Sequence, residues 1–174
     1  MVKGHIKEKG IYYNIKNKNC TKVAGFDLDH TLLRPKNNRV FPLNKNDWEL
    51  LYKKEISVLH KLHNEDYKIV IFTNQGGISK GKTKLNNIIY KIDAFINKIG
   101  IPIDYMIAYE YNEYRKPNIG MWNIYKKYSM KRILRKNSFY CGDAAGRYKD
   151  FSDNDKKFAD NIGIQFYLPG EVLK

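Results

Sequence analysis

The sequence predicts an α/β fold: a Rossmann-like, mostly parallel sheet with helices on both faces. Three observations carry that expectation. Short apolar runs of strand length alternate with longer stretches whose apolar residues recur at helical period. Polar segments rich in Asp, Asn and Gly follow the apolar runs directly, as turns at the carboxyl ends of parallel strands do. The chain has 174 residues, 43% of them hydrophobic, which suits one domain over residues 1–174 and argues against wholesale disorder.

Taken in order, residues 1–21 read as an N-terminal hairpin extension. VAGF (Val23–Phe26) is the first buried strand and runs into D-L-D-H-T. A loop with Pro35 and Pro42 follows. Leu50, Leu51, Ile56, Leu59 and Leu62 then predict a helix from about Trp48 to Asn64. KIVIF (Lys68–Phe72) is the second strand and leads into T-N-Q-G-G. Leu85, Ile88, Ile89, Ile92, Phe95, Ile96 and Ile99 form one apolar helix face, which Gly100 ends. IDYMIAY (Ile103–Tyr109) is a third strand, and a helix is expected from Ile119 to Tyr128. SFYC (Ser138–Cys141) is a fourth strand and ends at G-D-A-A-G-R. DNDKKFADNIG reads as a helix capped by Ser152 or Asp153, with Gly163 beyond its end, and IQFY as the fifth strand.

The charge balance narrows the function classes. Against 18 Asp+Glu stand 32 Lys+Arg, a net charge of +14, so a polyanionic partner is expected and nucleic acid is the first choice. The two cysteines, Cys20 and Cys141, form neither a disulfide framework nor a zinc spacing, which points to a reducing, intracellular setting, nucleus or cytoplasm. The N-terminal MVKGHIKEKG has no apolar core and is not a signal peptide, and no apolar run approaches membrane-span length. No oligomerisation signal stands out, so a monomer is expected.

In an open parallel sheet the site lies beyond the carboxyl ends of the strands. There the first strand delivers Asp27 and Asp29, the second Thr73 and Asn74, and the fourth Asp143, while Lys116 follows the third. Three carboxylates, a hydroxyl and an ammonium suffice for phosphoryl transfer. Clustered carboxylates repel unless a cation sits among them, and hard oxygen donors suit Mg²⁺. One carboxylate serves as nucleophile and a second as acid and base.

Those residues lie in stretches that resemble a known family. F-D-L-D-H-T-L is similar to the first motif of the haloacid dehalogenase superfamily of phosphatases. T-N-Q-G-G-I, Y-R-K-P-N-I-G-M-W, C-G-D-A-A-G-R, K-D-F-S-x-x-D-x-x-F-A and G-I-x-F-Y-x-P resemble the 3'-phosphatase domain of polynucleotide kinase/phosphatase proteins, from about Lys22 to the C-terminus. The resemblance implies the haloacid dehalogenase fold with a minimal cap and no kinase domain. It implies Asp27 as nucleophile, Asp29 as acid/base, and Thr73 with Asn74 holding the phosphoryl group. It also implies Lys116 as the neutralising cation, Arg115 and Arg147 as substrate contacts, and Mg²⁺ held by Asp27, the backbone carbonyl of Asp29, Asp143 and Asp150. The implied substrate is a DNA 3'-phosphate end in repair, with a separate kinase or ligase as partner. His30 departs from the pattern, because the family has Gly there.

GGISKGKT (Gly76–Thr83) matches the G-x-x-x-x-G-K-T phosphate loop letter for letter. In such a loop the first Gly follows the strand almost at once, whereas here Thr73, Asn74 and Gln75 intervene. Lys80, Lys82 and Lys84 are expected instead to track a nucleic-acid backbone near the site, Lys82 among the substrate-binding residues. The rival readings are a phosphatase of this fold acting on phosphoproteins or small molecules, an ATP-using kinase built on Gly76–Thr83, and a nucleic-acid-binding module with a dead site.

Overall fold

The computed structural model describes residues 5–8, 10–16, 19, 21–39, 42–129 and 131–174; Cys20 lies outside them. Nine strands are described: β1 (His5–Glu8), β2 (Ile11–Asn14), β3 (Lys22–Phe26), β4 (Leu33–Arg34), β5 (Glu49–Leu50), β6 (Tyr67–Asn74), β7 (Ile103–Ala108), β8 (Phe139–Cys141) and β9 (Gln165–Tyr167). The helices are α1 (Glu55–Asn64), α2 (Leu85–Ile99), α3 (Gly120–Tyr128), α4 (Asn154–Ile162) and α5 (Pro169–Val172).

Seven strands form one sheet in the order β1-β2-β7-β6-β3-β8-β9. The five from β7 to β9 are mutually parallel, and the β1–β2 hairpin adds antiparallel to β7. The continuous apolar character of the central strands follows from burial on both faces. Ile69 and Ile71 point with Ala24 and Phe26 into one core, against Leu59 of α1 and Ile92, Phe95 and Ile99 of α2. Val70 and Phe72 point into the other, against Trp122 and Tyr125 of α3 and Phe158 and Ile162 of α4. Gly100 and Gly163 end α2 and α4 with φ of +78° and +79°, a left-handed conformation natural to glycine.

Two expectations need correction. Trp48–Leu50 is not helical: Leu50 pairs with Leu33 in the β4–β5 ladder, and α1 begins only at Glu55. Leu50 packs on the core as helical spacing suggested, but it arrives there on a strand. Neither Ser152 nor Asp153 caps α4 with its side chain. The carbonyl of Ala144 accepts the first amides of the helix, from Asp155 (3.1 Å) and Lys156 (3.2 Å), which ties the G-D-A-A loop to α4. The short α5 was not anticipated.

In the loop between β4 and β5, where a cap would stand, the Asp47 carboxylate gathers the Leu43 amide (2.8 Å) and the Arg39 guanidinium (3.0 Å). Strand β3 lies between β6 and β8, so the chain reverses direction of travel across the sheet there. That is the switch point at which a cleft opens beyond the carboxyl ends.

Candidate active site

The cleft at the switch point is small, about 130 Å³, and Asp27, Asp29, Thr73, Asn74, Arg115, Lys116 and Asp143 all line it. Lys116 is its anchor. The ammonium is 2% exposed and places its three protons on Asp27 (2.6 Å), Asp155 (2.7 Å) and the Tyr140 hydroxyl (2.7 Å). Burial alone would lower its pKa, but the charges of Asp155 and Asp27 outweigh that and raise it, so it stays a cation. The backbone of Lys116 is fixed in turn by Asn74, which donates to its carbonyl (3.0 Å) and accepts from its amide (2.9 Å). The Asn74 side chain thus holds Lys116 in place as well as facing the cleft.

Asp27 follows β3 directly, and its amide is held by the Cys141 carbonyl at 2.9 Å. Burial raises its carboxyl well above the ordinary range. Lys116 opposes this, while Asp155 and Asp143 push further upward. Carboxylate oxygens of Asp27, Asp143 and Asp155 all lie within 4.8 Å of one another. Such a group is repulsive without a cation, so the donor set fits a hard divalent ion. Asp155 already accepts from Lys116, Tyr140 (3.2 Å) and the Ala144 amide (3.0 Å), which leaves Asp27 and Asp143 as the freer ligands. Thr31, from D-L-D-H-T, reaches Asp143 at 3.4 Å and steers it.

Asp29 sits apart from that group. Its carboxylate accepts from Lys91 (2.7 Å) and Gln75 (2.7 Å), and Gln75 also donates to the Thr73 hydroxyl (2.9 Å). Desolvation pulls its carboxyl upward, but Lys91 and Gln75 prevail and hold it below the ordinary value. If Asp29 contributes to a metal site, its side chain is not the donor. Asp150 does not join the carboxylate group either. It takes the Arg147 guanidinium (2.8 Å) and the amides of Ala145 and Arg147 (both 3.1 Å), and Arg147 lowers its pKa. The third carboxylate grouped with Asp27 and Asp143 among the described residues is Asp155.

Arg147 is correspondingly turned onto Asp150 and the Asp143 carbonyl (3.3 Å), away from the cleft wall. Arg115 does face the cleft: its guanidinium stacks on Tyr111 at 4.3 Å, and its buried Nη1 has no hydrogen-bond partner. Lys82 borders a second, larger cleft of about 630 Å³ that meets the first at Asp29 and His30. His30 has φ of +62°, a conformation in which glycine is unstrained.

Sequence reasoning missed Asp155, Tyr140, Gln75 and Lys91. Lys91 left a signal, a lysine on the otherwise apolar stripe of Ile88, Ile92 and Phe95. Gly142 left another, since a Cβ there would collide with the Asp155 carboxylate.

The geometry has a matching family model. Residues 22–173 match the model described as polynucleotide kinase 3 phosphatase. This chain belongs to that family. Among relatives of this phosphatase is an uncharacterised 20.8 kDa protein of Autographa californica nuclear polyhedrosis virus, 40% identical over 88% of this chain and 86% of its own length. The bifunctional polynucleotide phosphatase/kinase of Schizosaccharomyces pombe is 38% identical over 91% of this chain, which spans only 39% of that protein. The polynucleotide 3'-phosphatase of Saccharomyces cerevisiae is 32% identical over 87% of both chains. The fold is similar to that of D,D-heptose 1,7-bisphosphate phosphatase from B. bronchiseptica, solved with magnesium and phosphate (TM-score 0.63, 21% identity, 87% of this chain and 85% of that one). This phosphatase is therefore a hydrolase, and its fold is of the haloacid dehalogenase type. Among its described residues no helix is long and apolar enough to cross a membrane.

Proposed function

We propose that this chain removes a terminal 3'-phosphate from DNA and leaves a 3'-hydroxyl, as an intracellular end-cleaning step of repair that prepares the end for a separate ligase or kinase. The observation that carries the reading is Asp27 held at 2.6 Å by a buried lysine, in a family whose model bears the 3'-phosphatase name. A cleft this small suits a phosphoryl group, and the basic chain suits a polyanion.

In the first step an Asp27 oxygen attacks phosphorus in line, the bond from phosphorus to the 3'-oxygen breaks, and Asp29 gives that oxygen its proton. A phosphate dianion in the cleft raises the pKa of Asp29 by like-charge repulsion, which supplies the protonated form. In the second step Asp29, again a carboxylate, takes a proton from water, which hydrolyses the aspartyl-phosphate and restores Asp27. Thr73 donates to a phosphoryl oxygen, and Lys116 and the unpartnered Arg115 nitrogen offset its charge. Mg²⁺, held by Asp27 and Asp143, would supply further charge neutralisation.

The test is phosphate release, with Mg²⁺, from a 3'-phosphorylated oligodeoxynucleotide and its 5'-phosphorylated twin. Release from the 3' end alone is expected; release from neither moves the reading to a phosphoprotein or small molecule. Asp27→Asn is expected to lower turnover by a factor on the order of 10⁴ or more while the protein stays folded. Near-normal turnover in that variant ends the mechanism.

A further inference from the structure

The charge of this chain is not spread evenly. Between positions 126 and 136 stand Lys126, Lys127, Lys131, Arg132, Arg135 and Lys136, with no acidic residue among them. A chain with 32 basic residues in 174 would place about two in such a window if they were scattered. All six are exposed, and none forms an ion pair among the described residues. Asp66 shares a neighbouring cleft with Lys131 without pairing to it. Lys126 and Lys127 have a local reason to be there, since they lie in the last turn of α3 and complement the helix dipole. The other four have none in the fold.

The segment that presents them is built into the core. Ile133 is buried. The Leu134 amide donates to the Thr21 carbonyl at 2.8 Å. Ser138 donates its hydroxyl to the Leu134 carbonyl (2.9 Å) and accepts from the Val23 amide (3.0 Å). These bonds fix the cations around an open groove of about 820 Å³. The segment precedes β8 and abuts the start of β3, so it lies at the amino edge of the sheet, while Asp27 and Asp143 leave the carboxyl edge of the same strands. Six residues from Thr21 to Asp27 at about 3.3 Å each put the two regions roughly 20 Å apart.

We infer that this groove is a second nucleic-acid docking surface, which takes the phosphodiester backbone of a polynucleotide independently of the catalytic cleft. The inference draws its biological sense from the proposed function. Uncompensated Lys and Arg, presented around an open groove by an anchored backbone, suit phosphate contacts without base readout. A membrane surface fits less well, because Leu134, 38% exposed, is the one exposed large hydrophobic residue described in the segment. Bound here, a long polynucleotide concentrates the enzyme on polymer whose ends the cleft then samples.

The experiment is fluorescence anisotropy with a labelled, unphosphorylated 20-base-pair duplex and the full chain. The variant combines Lys131→Glu, Arg132→Glu, Arg135→Glu and Lys136→Glu; a second carries Ala at the same four positions. We expect the Kd of the charge-reversed protein to rise at least tenfold. The slope of log K against log salt should become shallower by about 3.6, since each of the four lost phosphate contacts removes about 0.9. Turnover of a 3'-phosphorylated dinucleotide, too short to span the two regions, should be unchanged. An unaltered Kd and slope overturn the inference. So does loss of binding to anionic vesicles with duplex binding intact. If the charge-reversed protein is misfolded, the Ala variant decides by the same binding readout, with a smaller rise in Kd expected and none overturning it. Failure to hydrolyse any 3'-phosphate would defeat the proposed function and leave the duplex result standing.

Discussion

Two segments of this chain look in sequence like phosphate sites, and the structure treats them oppositely. In the strand-end cluster, groups that follow β3, β7 and β8 meet one from α4: buried Lys116 bonds Asp27 and Asp155, and half-buried Asp143 brings a carboxylate oxygen within 4.8 Å of theirs. In GGISKGKT the amides that a phosphate cradle would offer turn back on the loop itself. Lys82 donates to the Gly77 carbonyl at 2.8 Å, Gly81 to Ile78 at 3.0 Å, and Thr83 to Gly77 at 3.4 Å. Helix α2 begins only at Leu85. Phosphate binding needs donors that the fold leaves free and aimed; in GGISKGKT these amides are already bonded within the loop, whereas the cluster gathers its groups from four elements.

Asp155, expected to lower both stability and turnover, gives the largest combined effect after the nucleophile. Asp155→Asn leaves Lys116, a buried cation, with one carboxylate where it had two. Breaking such a pair costs on the order of 3 kcal/mol. Thermal unfolding should show that loss, and turnover should fall about 100-fold as Asp27 loses its register against Lys116. A variant as stable and as fast as the parent would mean that the buried network is not what orders the cluster.

Glu55 sharpens the contrast between a partnered and an unpartnered buried carboxyl. It is 0% exposed, its Oε1 has no partner, and burial pushes its pKa to about 8 against the partial pull of the Tyr52 and Leu51 amides. The unfolded chain releases this proton near 4.5, whereas the folded protein keeps it to about 8. Stability therefore falls as pH rises between those values and is level above them. Glu55→Gln should remove that dependence, gaining about 4 kcal/mol over the parent at pH 8.5 and little at pH 4. Melting curves at both pH values check it, and equal slopes in the two proteins would refute it.

Lys82→Ala tests the other side of the comparison. With the loop amides already bonded, ATP should show no saturable binding to parent or variant in calorimetry. The KM for a 3'-phosphorylated oligonucleotide should rise only a few-fold, as for one lost phosphate contact, about 1 kcal/mol. Micromolar ATP binding abolished by Lys82→Ala would restore the phosphate-loop reading.

What the sequence made legible follows the same division. The parallel strands were readable because both faces of Ile69–Phe72 are buried, which writes an uninterrupted apolar run. The β4–β5 ladder was not, because two-residue strands carry no period, and Leu50 fits helical spacing equally well. Asp27, Thr73, Lys116 and Asp143 were readable as polar residues at strand ends. Asp155 was not, because an acid in the first turn of a helix has a sufficient reason in the helix dipole. Nor was the pairing of Asp150 with Arg147, since two oppositely charged residues three apart carry no mark of whether they bond each other or face the cleft.

His30 carries the smallest effect and separates backbone from chemistry. The side chain is exposed, lines both clefts, and sits at φ of +62° with its amide bonded to the Leu33 carbonyl at 2.6 Å. A non-glycine residue in that conformation costs about 1 kcal/mol, partly offset by the chain entropy a glycine would lose on folding. His30→Gly should therefore stabilise the fold by roughly 0.5 kcal/mol. His30→Val, β-branched, should destabilise it by about 1 kcal/mol or more. If the imidazole serves only the turn, His30→Gly keeps kcat and KM for the oligonucleotide within about threefold of the parent. A tenfold loss in kcat/KM from a variant that is more stable would instead place the imidazole on the substrate, since no damage to the fold could account for it.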